Sequence, residues 1–226
     1  MIAPPAATET KRLKVLWQYE VLDTVPEEVF DDLTELAATI CEAPMALISL
    51  VDENRQWFKS KIGLTISETS RGHSFCAYAI TQPGLFIVPD ATLDPRFASS
   101  PMVVSEPKIR FYAGAPLITP DGHALGTLCV LDKVARQLGP NQREALRILA
   151  HHVVSQLELR RRSRELNNAR QKNRHLQHQL SQLRAELAAA HPGERFALVF
   201  GCLADKDATD TLRPLVPLAS SACFVT

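Results

Sequence analysis

The stretch MALISLVDENRQWFKSKIG, Met45 to Gly63, decides the reading of the fold. Met45, Leu47, Ser49 and Val51 alternate with Ala46, Ile48 and Leu50, a period of two that belongs to a β-strand. DENR then links this strand to a second one through Trp57 and Phe58, so the stretch is a hairpin. Working outward, LDTVPEEVFDDLTELAATICEAP in front of it reads as a helix. Thr24 and Glu27 have capping-box spacing with Pro26 in the first turn, and Val29, Leu33, Leu36, Ala37 and Ile40 form the expected apolar stripe, ended by Pro44. Earlier still, Leu13, Leu16 and Trp17 recur at helical spacing behind a loose Ala/Pro leader, residues 1–9.

Downstream, Gly63 to Gln82 reads as a long loop followed by a short helix beginning near Ser74, and LFIVPD as a brief strand after the Pro83-Gly84 turn. LDPRFASSP is expected to form a second short helix capped by Asp94, with Pro95 at its first position. IRFYAGAPLI and ALGTLCVLD flank TPDGH, a turn signal that makes a second hairpin. Glycine and proline at LGPNQREALRILAHHVVSQLELRRR open a last helix that runs with few breakers towards Ala190, with Leu146, Leu149, Val153 and Leu157 as its apolar stripe. The order is α+β and has neither the strand–helix alternation nor the Gly-rich turns of a doubly wound nucleotide fold.

The 226 residues carry a formal net charge of zero, which fits one domain with extensions or two small domains and argues against a chain that is basic throughout. Cys41, Cys76, Cys129, Cys202 and Cys223 are odd in number and never form a Cys-x-x-Cys pair, which favours reduced thiols. The N-terminal residues lack the apolar core of a signal peptide, and no apolar run reaches membrane-spanning length, so a soluble, cytoplasmic protein without membrane partners is expected.

The segments VLDTVPEEVFDDLTELAATICEAPMALISLVDENRQWFKSKIGL, SFCAYAI, VPDATLDPRFASSPMV and IRFYAGAPLITPDGHALGTLCVLD together resemble the GAF domains of bacterial sensor histidine kinases and diguanylate cyclases. The resemblance implies an antiparallel sheet with one face on a terminal helix bundle and the other forming a small-molecule pocket under short helices and loops. On this basis residues 10–160 are the sensor domain, 161–191 a coiled-coil helix for signalling and dimerisation, and 192–226 a tail of unknown role. NRQWFKSKIG lacks the Asn-Lys-x-x-x-Phe pattern, and the downstream Asp-Glu pair, of GAF domains that bind cyclic nucleotides.

HSFCAYAI, His73 to Ile80, is where chemistry would sit. A reactive Cys76 needs a thiolate, and a nearby helix start, Arg71 and His73 meet that need in part. The simpler reading has Ser74 capping a helix whose Cys76 and Ala79 or Ile80 face the sheet. An enzyme resembling the free methionine sulfoxide reductases is the alternative, with only Cys76 and Cys129 available in the domain core. His73 and Cys76 supply two metal ligands with nothing to complete the set; His123 lies in a turn, and His151 and His152 point in different directions from their helix. Tyr78 and Ala77, not His, follow Cys76, so no bilin or haem site is recognised. GHSFC lacks the last glycine of a nucleophile elbow and GHALGTL the lysine of a phosphate loop. A non-enzymatic regulator is therefore expected, with Trp57, Phe58, His73, Cys76, Arg110, Phe111 and Tyr112 as candidate pocket residues and Arg110 as the candidate ligand-facing charge. Trp57 and Phe58 point to opposite faces of one strand, as do Phe111 and Tyr112 of another, so one of each pair is available to a cavity.

From Leu166 a heptad runs through Asn173, Leu180 and Leu187 at one core position and Ala169, Leu176, Leu183 and Ala190 at the other. This seam predicts a parallel homodimer, with Asn173 fixing the register. It is out of phase with the upstream stripe across LRRRSREL, a joint suited to two packings of similar energy. The block RRRSRELNNARQKNR raises DNA binding as a rival, but its Asn167 and Asn168 do not follow basic-zipper spacing. Residues 192–226 contain neither a phospho-acceptor histidine box nor a Gly-Gly-Asp/Glu-Glu-Phe signature. The expected output partner is a histidine kinase or diguanylate cyclase, and the ligand is an unknown small molecule.

Overall fold

The computed structural model of the chain describes residues 6–190. The tail read at 192–226, with Cys202 and Cys223, lies outside the described residues, as does the side chain of Leu187. Two units divide after Arg162. The first is built on an antiparallel sheet of six strands in the order β3-β2-β1-β6-β5-β4. β1 (Met45–Val51) and β2 (Arg55–Ile62) are the hairpin expected from alternation, and β5 (Phe111–Ile118) and β6 (Ala124–Asp132) the second one. β3 (Glu68–Ser70) and β4 (Phe86–Val88) are the short edges. β1 and β6 pair in the centre, so the two hairpins form one surface.

Alternation sorts the core into two layers. Ala46, Ile48, Leu50, Trp57, Phe111, Ala113, Leu128 and Val130 pack under α1 (Ala6–Gln18), α2 (Glu28–Cys41) and the first turns of α5 (Pro140–Ala190). Met45, Leu47, Val51, Phe58, Tyr112, Cys129 and Leu131 face the other way, towards α3 (Phe75–Ala79), α4 (Pro101–Val104) and the loops around them. α5 joins the helix layer through Leu146, Leu149, Val153 and Leu157, the stripe visible in its sequence, with Ala150 and Val154 beside them.

Several local expectations are corrected. α1 already begins at Ala6, inside the segment read as leader, and its Trp17 is exposed, donating from Nε1 to Asp52 at 3.1 Å. The buried face of α2 is Phe30, Thr34, Ala37, Ala38 and Cys41, whereas Val29, Leu36 and Ile40 are exposed and Leu33 only half-buried. The capping box does not form. Thr24 donates to the Val21 carbonyl at 2.7 Å, and the Glu27 carboxylate is taken by Lys59 at 2.6 Å and Arg160 at 2.9 Å. A buried ammonium on β2 outcompetes a backbone N–H for that carboxylate, because an uncompensated charge in the core is the costlier vacancy. LDPRFASSP makes one turn, with Phe97 and Ala98 donating to the Asp94 carbonyl, and no helix. Pro101 forces Ser100 into an extended conformation, so the helix starts afresh as α4.

α1 is stapled to the sheet by buried Arg12, which donates to the carbonyls of Val51 at 2.6 Å and Ala124 at 3.2 Å. Glu9 Oε1 accepts from Arg12 and from Arg71, each at 2.7 Å, tying α1 to the turn that precedes α3. Burial acts to raise the Glu9 carboxyl, but the two guanidiniums overcome it and hold the group at about 2, below the ordinary 4.5. A depressed acid contributes stability that is complete above the unfolded value and is lost as pH falls through the folded one. Glu9→Gln should therefore cost about 1.5–3 kcal/mol at neutral pH. Its deficit relative to the wild type should shrink between pH 4.5 and about 2, as read by urea denaturation at each pH. A deficit independent of pH over that window would mean the carboxylate is not what holds α1.

Candidate functional site

The second face of the sheet is hollow. A cavity of about 250 Å³ opens between the sheet and α3, floored by Leu47 of β1, Leu131 of β6 and Tyr112 of β5. One wall is Gln56 with Thr69 and Ser70 of the edge strand; the other is His73, Ser74, Phe75 and Cys76, with Pro101 and Met102 closing the mouth. Ser74 holds the start of α3 by accepting from the Ala77 N–H at 3.1 Å, while its hydroxyl donates to the amide oxygen of buried Gln56. This single hydroxyl orients both walls. α3 thus points Cys76 at the sheet and leaves His73 at the rim.

Aromatic packing backs the cavity residues Phe75 and Tyr112. Phe75 stacks between Phe97 at 4.3 Å and Tyr112 at 5.0 Å, and Phe86 lies edge-on to Phe97. Arg96 covers Phe86 at 5.0 Å, held in place by a two-pronged contact to Asp94. Tyr112 is fully buried and has room for its hydroxyl only because position 114 is glycine: a Cβ there would stand 2.1 Å from the phenolic oxygen.

Beneath the cavity lies a cluster of sulfur and hydroxyl groups. Cross-strand pairing places Cys129 between Leu47 and Gly114, and Thr127 opposite Ser49. The Tyr112 hydroxyl sits 3.4 Å from both the Cys76 sulfur and Thr127 Oγ1. Cys76 and Cys129 are in contact, Sγ to Sγ 3.9 Å, and both are buried free thiols. Burial acts to raise both thiols. For Cys76 the neighbouring Cys129, Thr127, Tyr112 and Ser49 groups prevail and draw it below the ordinary thiol range, whereas Cys129 and Tyr112, each beside that sulfur, are driven well above theirs.

The structure brings His73, Cys76 and Tyr112 together on the cavity and places Phe58 in the same apolar layer. Trp57 and Phe111 are on the helix face, away from it. Arg110 is turned to the backbone, donating to the carbonyls of Val103 at 2.9 Å and Ile109 at 3.2 Å, so it is an anchor for the loop after α4 and does not line the cavity. Sequence reasoning missed Gln56, Thr69, Ser70 and Met102. The phase of β6, which puts Cys129 and Leu131 with Tyr112, was a readable signal for the floor; β3 offered none. Among the described residues no group of three metal-ligating side chains converges.

The GAF domain family model matches residues 25–157. A cyclic di-GMP phosphodiesterase of Pseudomonas aeruginosa is 47% identical over 152 residues, which cover 67% of this chain and 26% of that protein. Among solved structures, the GAF domain from an Acinetobacter phosphoenolpyruvate-protein phosphotransferase has a TM-score of 0.50 at 15% identity, covering 68% of this chain and 95% of that one. The free methionine-R-sulfoxide reductase from Neisseria meningitidis, in complex with its substrate, has a TM-score of 0.50 at 16% identity, with coverages of 72% and 98%. At such identities these two structures speak for the fold alone.

Proposed function

Because the chain belongs to the GAF domain family, we propose that it is a non-catalytic sensor module of a signalling protein, which takes a small molecule into the cavity and passes its occupancy to α5. The observation that carries this reading is the cavity itself, about 250 Å³, chiefly apolar, with Gln56, Thr69, Ser70, His73, Ser74 and Tyr112 as the polar residues lining it. That lining fits a small ligand with an apolar body and one hydrogen-bonding end. No lysine or arginine is among the residues that form it, which favours an uncharged ligand over a nucleotide with charged phosphates. The relation to a cyclic di-GMP phosphodiesterase supports an output in cyclic di-GMP turnover over a histidine kinase, with the chain supplying regulation to an enzyme. The route to α5 is short: Phe111 and Tyr112 are adjacent on β5, one under the helices and the other in the cavity floor.

Native mass spectrometry of the purified chain should find a retained small molecule. Thr69→Trp, which fills the cavity from an edge strand tolerant of aromatic residues, should expel it while leaving circular dichroism unchanged. Retention by the Thr69→Trp chain as strong as in the wild type would remove the cavity as the binding site. With free methionine sulfoxide and a thiol-recycling system no turnover is expected, and Cys76→Ala should lose only about 1 kcal/mol of stability. Turnover that disappears in Cys76→Ala would make the domain an enzyme.

A further inference from the structure

We propose that Cys76 and Cys129 are a reversible oxidation site, closed to a disulfide by a small hydroperoxide that enters through the cavity. Three observations carry it. The sulfurs already touch at 3.9 Å, so bonding distance is reached by a displacement of about 2 Å. One of them, Cys76, lines a cavity of about 250 Å³, large enough for several waters and so for hydrogen peroxide. The third is that the surroundings are built for a sulfur anion: Tyr112 donates towards Cys76 at 3.4 Å, and Ser49 Oγ, buried on the same face, finds no hydrogen-bond partner among the described residues. A thiolate there would satisfy such donors, and the thiolate is the species that attacks peroxides. Nothing in this depends on the ligand reading, which can fail while the oxidation site stands.

The chemistry balances with hydrogen peroxide alone. The Cys76 thiolate attacks one peroxide oxygen; the S–O bond forms as the O–O bond breaks, and the departing hydroxide takes up the proton that Cys76 released. The sulfur of Cys129 then attacks the sulfenic sulfur, forming S–S and breaking S–O, and the hydroxide expelled from that sulfur takes up the proton of Cys129 to give the second water. Two thiols and one peroxide give one disulfide and two waters. The sulfurs are oxidised by two electrons in all and the peroxide is reduced by two. Roles are assigned by position: Cys76 faces the cavity, whereas Cys129 lies beneath it on the central strand β6 and resolves. Cys41 is an internal comparison. It is buried on the helix face and burial pushes its thiol up to about 11, against a weaker pull from Arg136.

The test uses the full chain, reduced, exposed to hydrogen peroxide, blocked with N-ethylmaleimide in denaturant and mapped by mass spectrometry. The expected product is a Cys76 peptide joined to the Cys129 peptide of the same chain, two hydrogens lighter and restored by dithiothreitol, with Cys41 recovered as the blocked thiol. In Cys129→Ser, dimedone should trap a sulfenic acid at Cys76. Recovery of both thiols unoxidised would overturn the proposal, as would Cys76 advancing to the sulfinic acid with Cys129 free, or linkage only between two chains. Should Cys129→Ser fail circular dichroism, the wild-type map decides on its own.

Discussion

Gly126→Ala should destabilise the domain by about 3 kcal/mol or more, a large share of the stability an ordinary domain has. Gly126 lies on β6 opposite Leu50 of β1, in the middle of the sheet. A Cβ at this position would stand 1.9 Å from the Ser49 carbonyl oxygen and 2.8 Å from the Leu50 Cα. These are backbone atoms of a strand held on both sides, by β2 and by β6, so neither can retreat without breaking ladder hydrogen bonds. Both hairpins, and with them the cavity floor, depend on that pairing. Gly84→Ala is the control: nothing lies within 4 Å of its added carbon, and a change within about 0.5 kcal/mol is expected. Urea midpoints followed by circular dichroism measure both. A Gly126→Ala chain as stable as the Gly84→Ala chain would mean that β1 and β6 are not packed as closely as described.

The same sheet explains what could be read in advance. Period-two alternation in MALISLV and FYAGAPLI assigned each residue a face, and those faces became the two layers of the core. The α2 stripe failed for a physical reason. Val29, Leu36 and Ile40 have helical spacing as good as that of Phe30, Ala37 and Cys41, and periodicity cannot choose between two apolar faces on one helix. Contact with the sheet chooses, and it prefers the face whose small residues let the helix approach closely. Arg110 failed because a charge beside a loop has carbonyls within reach, and those of Val103, Lys108 and Ile109 accept from it. The Cys76–Cys129 contact spans 53 residues of sequence and rests on Ser74 setting the angle of α3, a detail that no pattern in HSFCAYAI expresses.

Leu180→Asp should turn a dimer into a monomer while the sensor domain stays folded. In the unit after Arg162, helix α5 continues to Ala190, and among the described residues Leu166, Leu176 and Leu183 remain 52%, 52% and 43% exposed. A helix of this length gains little stability from propensity alone; burying one apolar stripe against a partner is what secures it. We propose a second copy of the chain as that partner, because the stripe recurs at heptad spacing and Asn173 interrupts it once, as a register-setting residue does. A carboxylate at position 180 would be buried twice in a symmetric seam, once from each chain. Dissociation should be favoured by about 3 kcal/mol, a hundredfold or more in Kd. Asn173→Leu should act in the opposite sense, tightening assembly while admitting higher oligomers, since the polar residue specifies a two-stranded state at the expense of stability. Light scattering at tens of micromolar on the wild type and both variants, with circular dichroism as the folding check, separates the outcomes. A monomeric wild type, or a Leu180→Asp chain with unchanged assembly, would show that this seam is not where two copies meet, and the cavity would then need another route to its output.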